Sequence, residues 1–426
     1  MERVLECLSC AKVFPLEVTE FTCTCGGLLE LRQPLVEIKG QQADWREVFR
    51  RRRLSNKPQD VSGVWRFREL LFEPPEVITR CEGNTRLYAA PKLAAELDLS
   101  VYFKHEGENP TGSFKDRGMT TAISAGRMLG CTQFICASTG NTSASLASYT
   151  AGAGLKGSVL IPEGKIAFGK LSQTLAYGAR VLQIEGNFDL AMEIVRDLGR
   201  NFAENKIYLL NSLNPFRIEG QKTIFFELLE QLDYVPPDFI FVPAGNLGNT
   251  SALGKAILEA AELGLLTKKP RLVAVQAAGA NPFYQYFQKG WRNFQPVKEP
   301  ETVATAVRIG NPISYLRAQK VLLALDGLVL QATEEEILEA KAELDAAGIG
   351  CEPASACTLV GIKQLKEQGV LQAGQTVVGI LTGNLLKDPE TTLNYHLQRL
   401  AGIEAKFANQ PHKIKASLSS VLQNLR

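Results

Sequence analysis

The chain has 426 residues, 45% of them hydrophobic and 22% charged, a length and balance that suit a large core shared by two domains and the surface of an ordinary soluble enzyme. Lys plus Arg number 47 against 45 Asp plus Glu, a formal net charge of +2, which excludes a bulk electrostatic pull toward nucleic acid or an anionic membrane. No apolar run is long enough to span a bilayer and the start Met1-Glu2-Arg3-Val4 lacks a secretory pattern, so a cytoplasmic protein with no membrane and no nucleic-acid partner is expected.

The first segment, residues 1–33, is a cysteine-containing, ribbon-like element. Cys7-Leu8-Ser9-Cys10 and Cys23-Thr24-Cys25-Gly26-Gly27 bracket a strand-like stretch in the manner of the paired knuckles of a zinc ribbon. The second knuckle has one intervening residue where two are usual, so a metal-free remnant is the preferred reading, with Cys7, Cys10, Cys23 and Cys25 as the ligand set if zinc is held. Cys81, Cys131, Cys136, Cys351 and Cys357 sit among apolar or small residues, which suits free buried thiols. Residues 34–80 form an N-terminal arm in which Asp44 to Arg53 is helical in pattern, Arg50 to Arg53 its polar end, and Pro74-Pro75 a break.

From Val101 onward short apolar runs alternate with helical patterns: Val101 to Phe103, Phe134 to Ala137, Ser158 to Ile161, Ala179 to Ile184, Ile207 to Leu210, Phe239 to Val242, Leu272 to Val275 and Val377 to Leu381. Such alternation predicts an α/β fold with open, mainly parallel twisted sheets. Four junctions in this series carry chemistry. In Glu108-Asn109-Pro110-Thr111-Gly112-Ser113-Phe114-Lys115-Asp116-Arg117 a lysine sits on a turn just before a helix; drawn into a pocket, such an amine becomes a nucleophile toward an aldehyde, and left outside it is a solvated helix-start residue. Asp116 and Arg117 read as a helix-start acid and a surface or interface base. Ala137-Ser138-Thr139-Gly140-Asn141-Thr142-Ser143 is a strand-to-helix turn able to seat a carboxylate, or an ordinary N-cap. Pro243-Ala244-Gly245-Asn246-Leu247-Gly248-Asn249 is a second such turn, suited to a phosphate or simply generic, and it lacks both P-loop and dinucleotide patterns. Thr382 ends a buried-strand pattern where open α/β sheets bind ligands, and could hydrogen-bond a ring nitrogen or be a satisfied strand-end hydroxyl. Only three histidines occur, a poor basis for a His-centred nucleophilic triad.

Taken in this order, these stretches resemble the fold type II pyridoxal-phosphate enzymes and, within them, the threonine synthase family. Glu82-Gly83-Asn84-Thr85, the block Asn211-Ser212 to Lys222-Thr223, Ala306 to Pro312, Cys351-Glu352-Pro353-Ala354-Ser355-Ala356 and Asn394-Tyr395-His396 extend the resemblance over about residues 80–400. It implies a large cofactor-binding domain from residues 81–114 and 226–400, a small domain from 115–225 and a C-terminal extension at 401–426. It further implies pyridoxal 5′-phosphate on Lys115, Phe114 beside its ring, Asn141 at its 3′-oxygen, Gly245, Asn246, Leu247, Gly248 and Asn249 around its phosphate, and Thr382 at its ring nitrogen. The implied substrate is O-phospho-L-homoserine, its carboxylate on the turn Ser138, Thr139, Gly140 to Thr142 and its phosphate on Arg217 with Ser212 and Thr142, in a homodimer. Apart from the resemblance, Arg217 reads as an ion-pair partner of Glu219 or Glu227. The rival activities are a threonine or serine dehydratase, or a synthase using another O-phospho amino acid; a ligand-binding scaffold without catalysis is the alternative of a different class.

Overall fold

The computed structural model describes residues 3–41, 43–163, 168–186, 188–200 and 206–425. Met1, Glu2 and Arg426, which bound the expected first and last segments, and parts of the expected small domain lie outside them. Three sheets organise the chain. The N-terminal one is antiparallel, with β1 (Val4–Cys7) between β2 (Val13–Phe14) and β3 (Leu29–Arg32). A six-stranded sheet takes β4 (Leu87–Ala89), β5 (Ser100–His105), β10 (Phe239–Pro243), β11 (Arg271–Ala277), β12 (Leu328–Ala332) and β13 (Thr376–Leu381) in the order β12-β11-β10-β13-β5-β4. All its pairings are parallel except the edge pair β4–β5. A four-stranded, wholly parallel sheet orders β6 (Gln133–Ala137), β7 (Lys156–Pro162), β8 (Arg180–Ile184) and β9 (Ile207–Leu209) as β8-β7-β6-β9.

Helices cover both faces of the larger sheet, which is why β10 and β13 read as continuous apolar runs. Ile240, Val242, Leu272 and Val378 point into one core, whereas Phe239, Phe241, Val273 and Val377 point into another, the period-2 alternation of a strand buried on both sides. A third core joins the smaller sheet to the N-terminal one, where Phe21 meets Tyr208 edge-on at 5.5 Å.

The two parallel sheets are bridged by a close helix pair. The helix Lys115–Met128 lies against Pro215–Gln231 through Gly118 and Gly220. A Cβ on Gly220 would stand 1.8 Å from the Arg117 carbonyl oxygen, and one on Gly118 would stand 2.8 Å from that of Arg217. Only glycine permits this approach, and it brings Lys115 and Arg217 onto neighbouring turns. Under the pair lies a buried charge cluster. Arg117 donates from Nε to Glu106 at 2.6 Å and from Nη2 to Glu227 at 3.0 Å, and Glu227 also takes Lys104 and Arg66. Arg117 is therefore no surface base: two carboxylates match its charge in the interior and push its pKa up further. The last segment packs on the helix Glu334–Ala346 through Ile403 and the Lys406–Glu339 pair, while residues 410–420 are mostly exposed.

Candidate active site

The loop before Lys115 is pinned to the carboxyl end of β13. Phe114 donates its backbone N–H to the Thr382 carbonyl at 3.0 Å, Asn384 donates to that of Gly112 at 2.9 Å, and Ser113 bridges to Gly383. Asp116 braces the loop, accepting from the Thr111 backbone and hydroxyl, each at 2.7 Å, and from Ser145. Its acid role is thus loop-holding inside the protein, where burial pushes its pKa up to about 6. Lys115 opens its helix half-buried, its Nζ 4.1 Å from the Phe114 ring centroid, with no carboxylate partner among the described residues. Desolvation, followed by the charge of Arg217, lowers its pKa to about 7, with Glu352 acting in the opposite sense. An amine so poised is a nucleophile near neutral pH.

Arg217 is 3% exposed. It pairs with neither Glu219, which takes Lys222 and Lys255, nor Glu227, which takes the cluster below, so the ion-pair reading is overturned. Its Nη1 donates to the Leu210 carbonyl at 3.0 Å, its Nε is buried without an acceptor, and burial lowers its pKa to about 10. Asn211 exchanges two hydrogen bonds with the Ala137 backbone, at 3.0 and 2.9 Å, tying the half-buried Ser212 to the start of the Ser138–Thr142 turn. That turn leads from β6 into the helix Asn141–Gly152, with Ser138 to Thr142 all half-buried. Thr139, Gly140 and Asn141 line a cavity of about 560 Å³ together with Glu352, Asn384 and Lys387.

The turn at 245–249 joins β10 to the helix Gly248–Glu262, whose N-cap Leu247 is held left-handed at φ 63 and supplies no side-chain cap. Both polar atoms of the buried Asn249 amide and the Thr250 hydroxyl lack partners among the described residues. Unmet donors at a long helix's start suit an anion. Gly245 lies against Val307, where a Cβ would come within 3.1 Å of its Cα, and the neighbouring Thr305 and Ala306 line the cavity. Thr382 is buried at the end of β13, its hydroxyl 3.0 Å from a carboxyl oxygen of Glu352. Glu352, which sequence reasoning quoted within a motif but gave no task, also accepts from Asn141 at 3.0 Å. Its signal was an acid at an N-cap position before Pro353 that does not cap its own helix, Pro353–Glu367. Lys387 was missed too; it reaches the Thr111 carbonyl at 2.9 Å.

The four N-terminal thiols stand apart from this cavity. Despite the short second knuckle, the Sγ atoms of Cys7, Cys10, Cys23 and Cys25 all lie within 4.8 Å of one another. Several neighbouring pairs are 3.4–3.6 Å apart, near the ~3.8 Å edge of a tetrahedron with Zn–S bonds of about 2.3 Å.

Residues 78–383 match the family model described as "Pyridoxal-phosphate dependent enzyme". Threonine synthase from Methanocaldococcus jannaschii is 44% identical over 391 residues, 91% of this chain and 93% of that protein. Threonine synthase from the Synechocystis strain is 47% identical over 74% of this chain and 79% of its own length. The crystal structure of threonine synthase from Escherichia coli superposes with a TM-score of 0.68, covering 99% of each chain at 18% identity, which speaks for the fold. With a poised lysine at a helix start and, beside it, an arginine that has no carboxylate partner among the described residues, the chain belongs to the pyridoxal-phosphate dependent enzymes and, among them, to the threonine synthases.

Proposed function

We propose that this protein converts O-phospho-L-homoserine and water to L-threonine and inorganic phosphate. The observation that carries the reading is Arg217, a buried guanidinium without a carboxylate, whose charge is felt at Lys115. A phosphorylated substrate handled by an amine fits that pair. The unmet donors of Asn249 and Thr250 at the uncapped helix start fit the phosphate of pyridoxal phosphate, with Gly245, Asn246, Leu247 and Gly248 completing the cradle. When bound, that cofactor supplies an electron sink for charge developing at the substrate's Cα.

The chain's own residues then divide the work. Lys115 would hold the cofactor and, as the free amine, would act as base at Cα, pass that proton on, act again as base at Cβ, and give a proton back at Cγ after phosphate has left; its lowered basicity leaves it able to do so near neutral pH. Arg217, Ser212 and Thr142 bind the substrate phosphate and accept its charge as it departs from Cγ, after which water adds at Cβ. Ser138, Thr139 and Gly140 orient the carboxylate at the helix start. Asn141 would hold the cofactor's 3′-oxygen, Phe114 would flank its ring and Thr382 would hold its ring nitrogen. In this reading residues 115–225 form the small domain, 81–114 with 226–400 the large one, 401–426 an extension over the body, and two copies form a cytoplasmic homodimer.

Cys7, Cys10, Cys23 and Cys25 fit a four-thiolate zinc centre, and their convergence supports including one in this reading. Its role would be structural, closing the knuckles of the N-terminal sheet, which is anchored by Arg317 to the Leu29 carbonyl and by Gln33 to Glu219 at 2.9 Å. The test of the main reading is incubation of the purified holoenzyme with O-phospho-L-homoserine and separate assays for phosphate and threonine. Equal yields of both are expected; phosphate accompanied by 2-oxobutanoate would move the assignment to elimination without hydration.

A further inference from the structure

Glu352 is a buried acid with an unusual set of neighbours. It is 4% exposed and lines the same cavity as Thr139, Gly140 and Asn141. One carboxyl oxygen lies 3.0 Å from Thr382 Oγ1 and the other 3.0 Å from Asn141 Nδ2. Gly383 leaves it room: a Cβ there would stand 2.4 Å from the Glu352 carboxyl carbon.

The hydrogen bonds around Thr382 restrict where protons can be. Ser355 Oγ already accepts two backbone N–H groups, from Thr382 at 2.8 Å and Gly383 at 3.2 Å. Its own proton is therefore free to go to Thr382 Oγ1, 3.2 Å away. A hydroxyl has one proton and two lone pairs. With one lone pair taken by Ser355, the direction of the Thr382 proton depends on Glu352. An ionised Glu352 draws that proton to itself. A neutral Glu352 donates to the second lone pair and leaves the proton pointing elsewhere.

We infer that Glu352 is a positioning residue for the cofactor: as a neutral acid it donates to Thr382 Oγ1 and turns the Thr382 proton toward the ring nitrogen, while its other oxygen fixes Asn141. This rests on the reading that Thr382 meets the ring nitrogen and Asn141 the 3′-oxygen. One carboxyl group thereby couples the two residues that hold the ring at its nitrogen and at its 3′-oxygen. Burial raises its pKa, outweighing the hydrogen bonds from Asn141 and Thr382 and the cations Lys387 and Lys115. The other titratable groups near it are the thiols of Cys351 and Cys357, both kept protonated by burial, and Arg308, Glu108 and Asp388 in the cavity wall.

The test compares Glu352→Gln, Glu352→Ala, Thr382→Ala and the double Ala variant as holoenzymes. The readouts are the cofactor's absorption band from about pH 6 to 9, its dissociation constant, and kcat and KM separately. A Gln amide reproduces the neutral acid, donating to Thr382 and accepting from Asn141. Glu352→Ala is expected to shift the band, weaken cofactor binding about tenfold and lower kcat about 10²-fold, the scale of one to two hydrogen bonds in a dry site. Glu352→Gln restores the band and recovers kcat to within about tenfold of wild type, and the double variant is no worse than Thr382→Ala. Equal impairment of Gln and Ala would mean that the charge is what matters and would overturn the inference, as would an Ala variant with unchanged band and affinity. If Thr382→Ala itself leaves the band unmoved, the placement of Thr382 at the ring fails and the inference falls with it.

Discussion

Replacing Arg217 with alanine separates binding chemistry from stability. The folded pKa of about 10 lies below the ordinary arginine value, which corresponds to about 3 kcal/mol against the charged form in the folded state. Because the folded value is the lower one, this cost is complete below about pH 10 and is relieved only as the pH rises toward the ordinary arginine value, so it is constant through the working range. A phosphate seated on the guanidinium supplies the missing countercharge. Nη1 is committed to Leu210, but Nε and Nη2 have no acceptor among the described residues, so two charge-assisted bonds at about 1.5 kcal/mol each give about 3 kcal/mol, or ~10²-fold. Arg217→Ala should lower kcat/KM for O-phospho-L-homoserine by at least ~10²-fold. Its own melting temperature should change little, since lost packing is offset by removal of the unpaired charge. Inorganic phosphate at ~100 Kd should stabilise the wild-type holoenzyme by about 2.7 kcal/mol and raise its melting point by several degrees, yet leave the variant unmoved. Equal thermal shifts in both proteins, or a kcat/KM within threefold of wild type, would refute the reasoning.

Lys115, with a pKa near 7, should react with pyridoxal phosphate in the apoenzyme at a rate that climbs from about pH 6 and levels off by about pH 8. An ordinary lysine would show a rate still rising tenfold per pH unit toward its value of 10.5, and stopped-flow absorbance distinguishes the two. Gly220→Ala forces a methyl into the Arg117 carbonyl, so a loss of about 3 kcal/mol or more and a melting point lower by about 3 °C or more are expected, measured by calorimetry. Metal analysis of protein purified without chelator should find about one zinc per chain, and Cys10→Ser should lower both zinc content and melting temperature. Protein without zinc that melts identically to Cys10→Ser would remove the metal from the proposal.

What the sequence disclosed, and what it hid, follow from the range of the interactions involved. Strand, turn and helix start are local, so the β10 and β13 runs, the 245–249 turn and the Lys115 helix were readable from period and turn chemistry. The short antiparallel strand β4 and the strand β12 were not among the predicted runs; β4 has only three residues, and both lie at sheet edges where the apolar pattern is weaker. Charge pairing is non-local. Arg117 looked like a surface base because nothing nearby in sequence announces Glu227, 110 residues on, as its partner.

The same limit applies in reverse to Arg217. Glu219 stands two positions away and faces other partners, Lys222, Lys255 and Gln33, because residues two apart on a helix point to different sides. Sequence proximity suggested a pair that helical geometry forbids. The guanidinium is left without a carboxylate by its orientation, and Gly118 and Gly220 keep it close enough to Lys115 for its charge to be felt there. Substituting a longer residue at either glycine should therefore disturb the site as well as the fold: separating the helices weakens the Arg217 field and lets the pKa of Lys115 rise, shifting the apoenzyme's pH–rate plateau upward. A soluble Gly118→Ala variant whose plateau stays near pH 7 would show that desolvation alone sets the lysine and that the helix contact serves stability only.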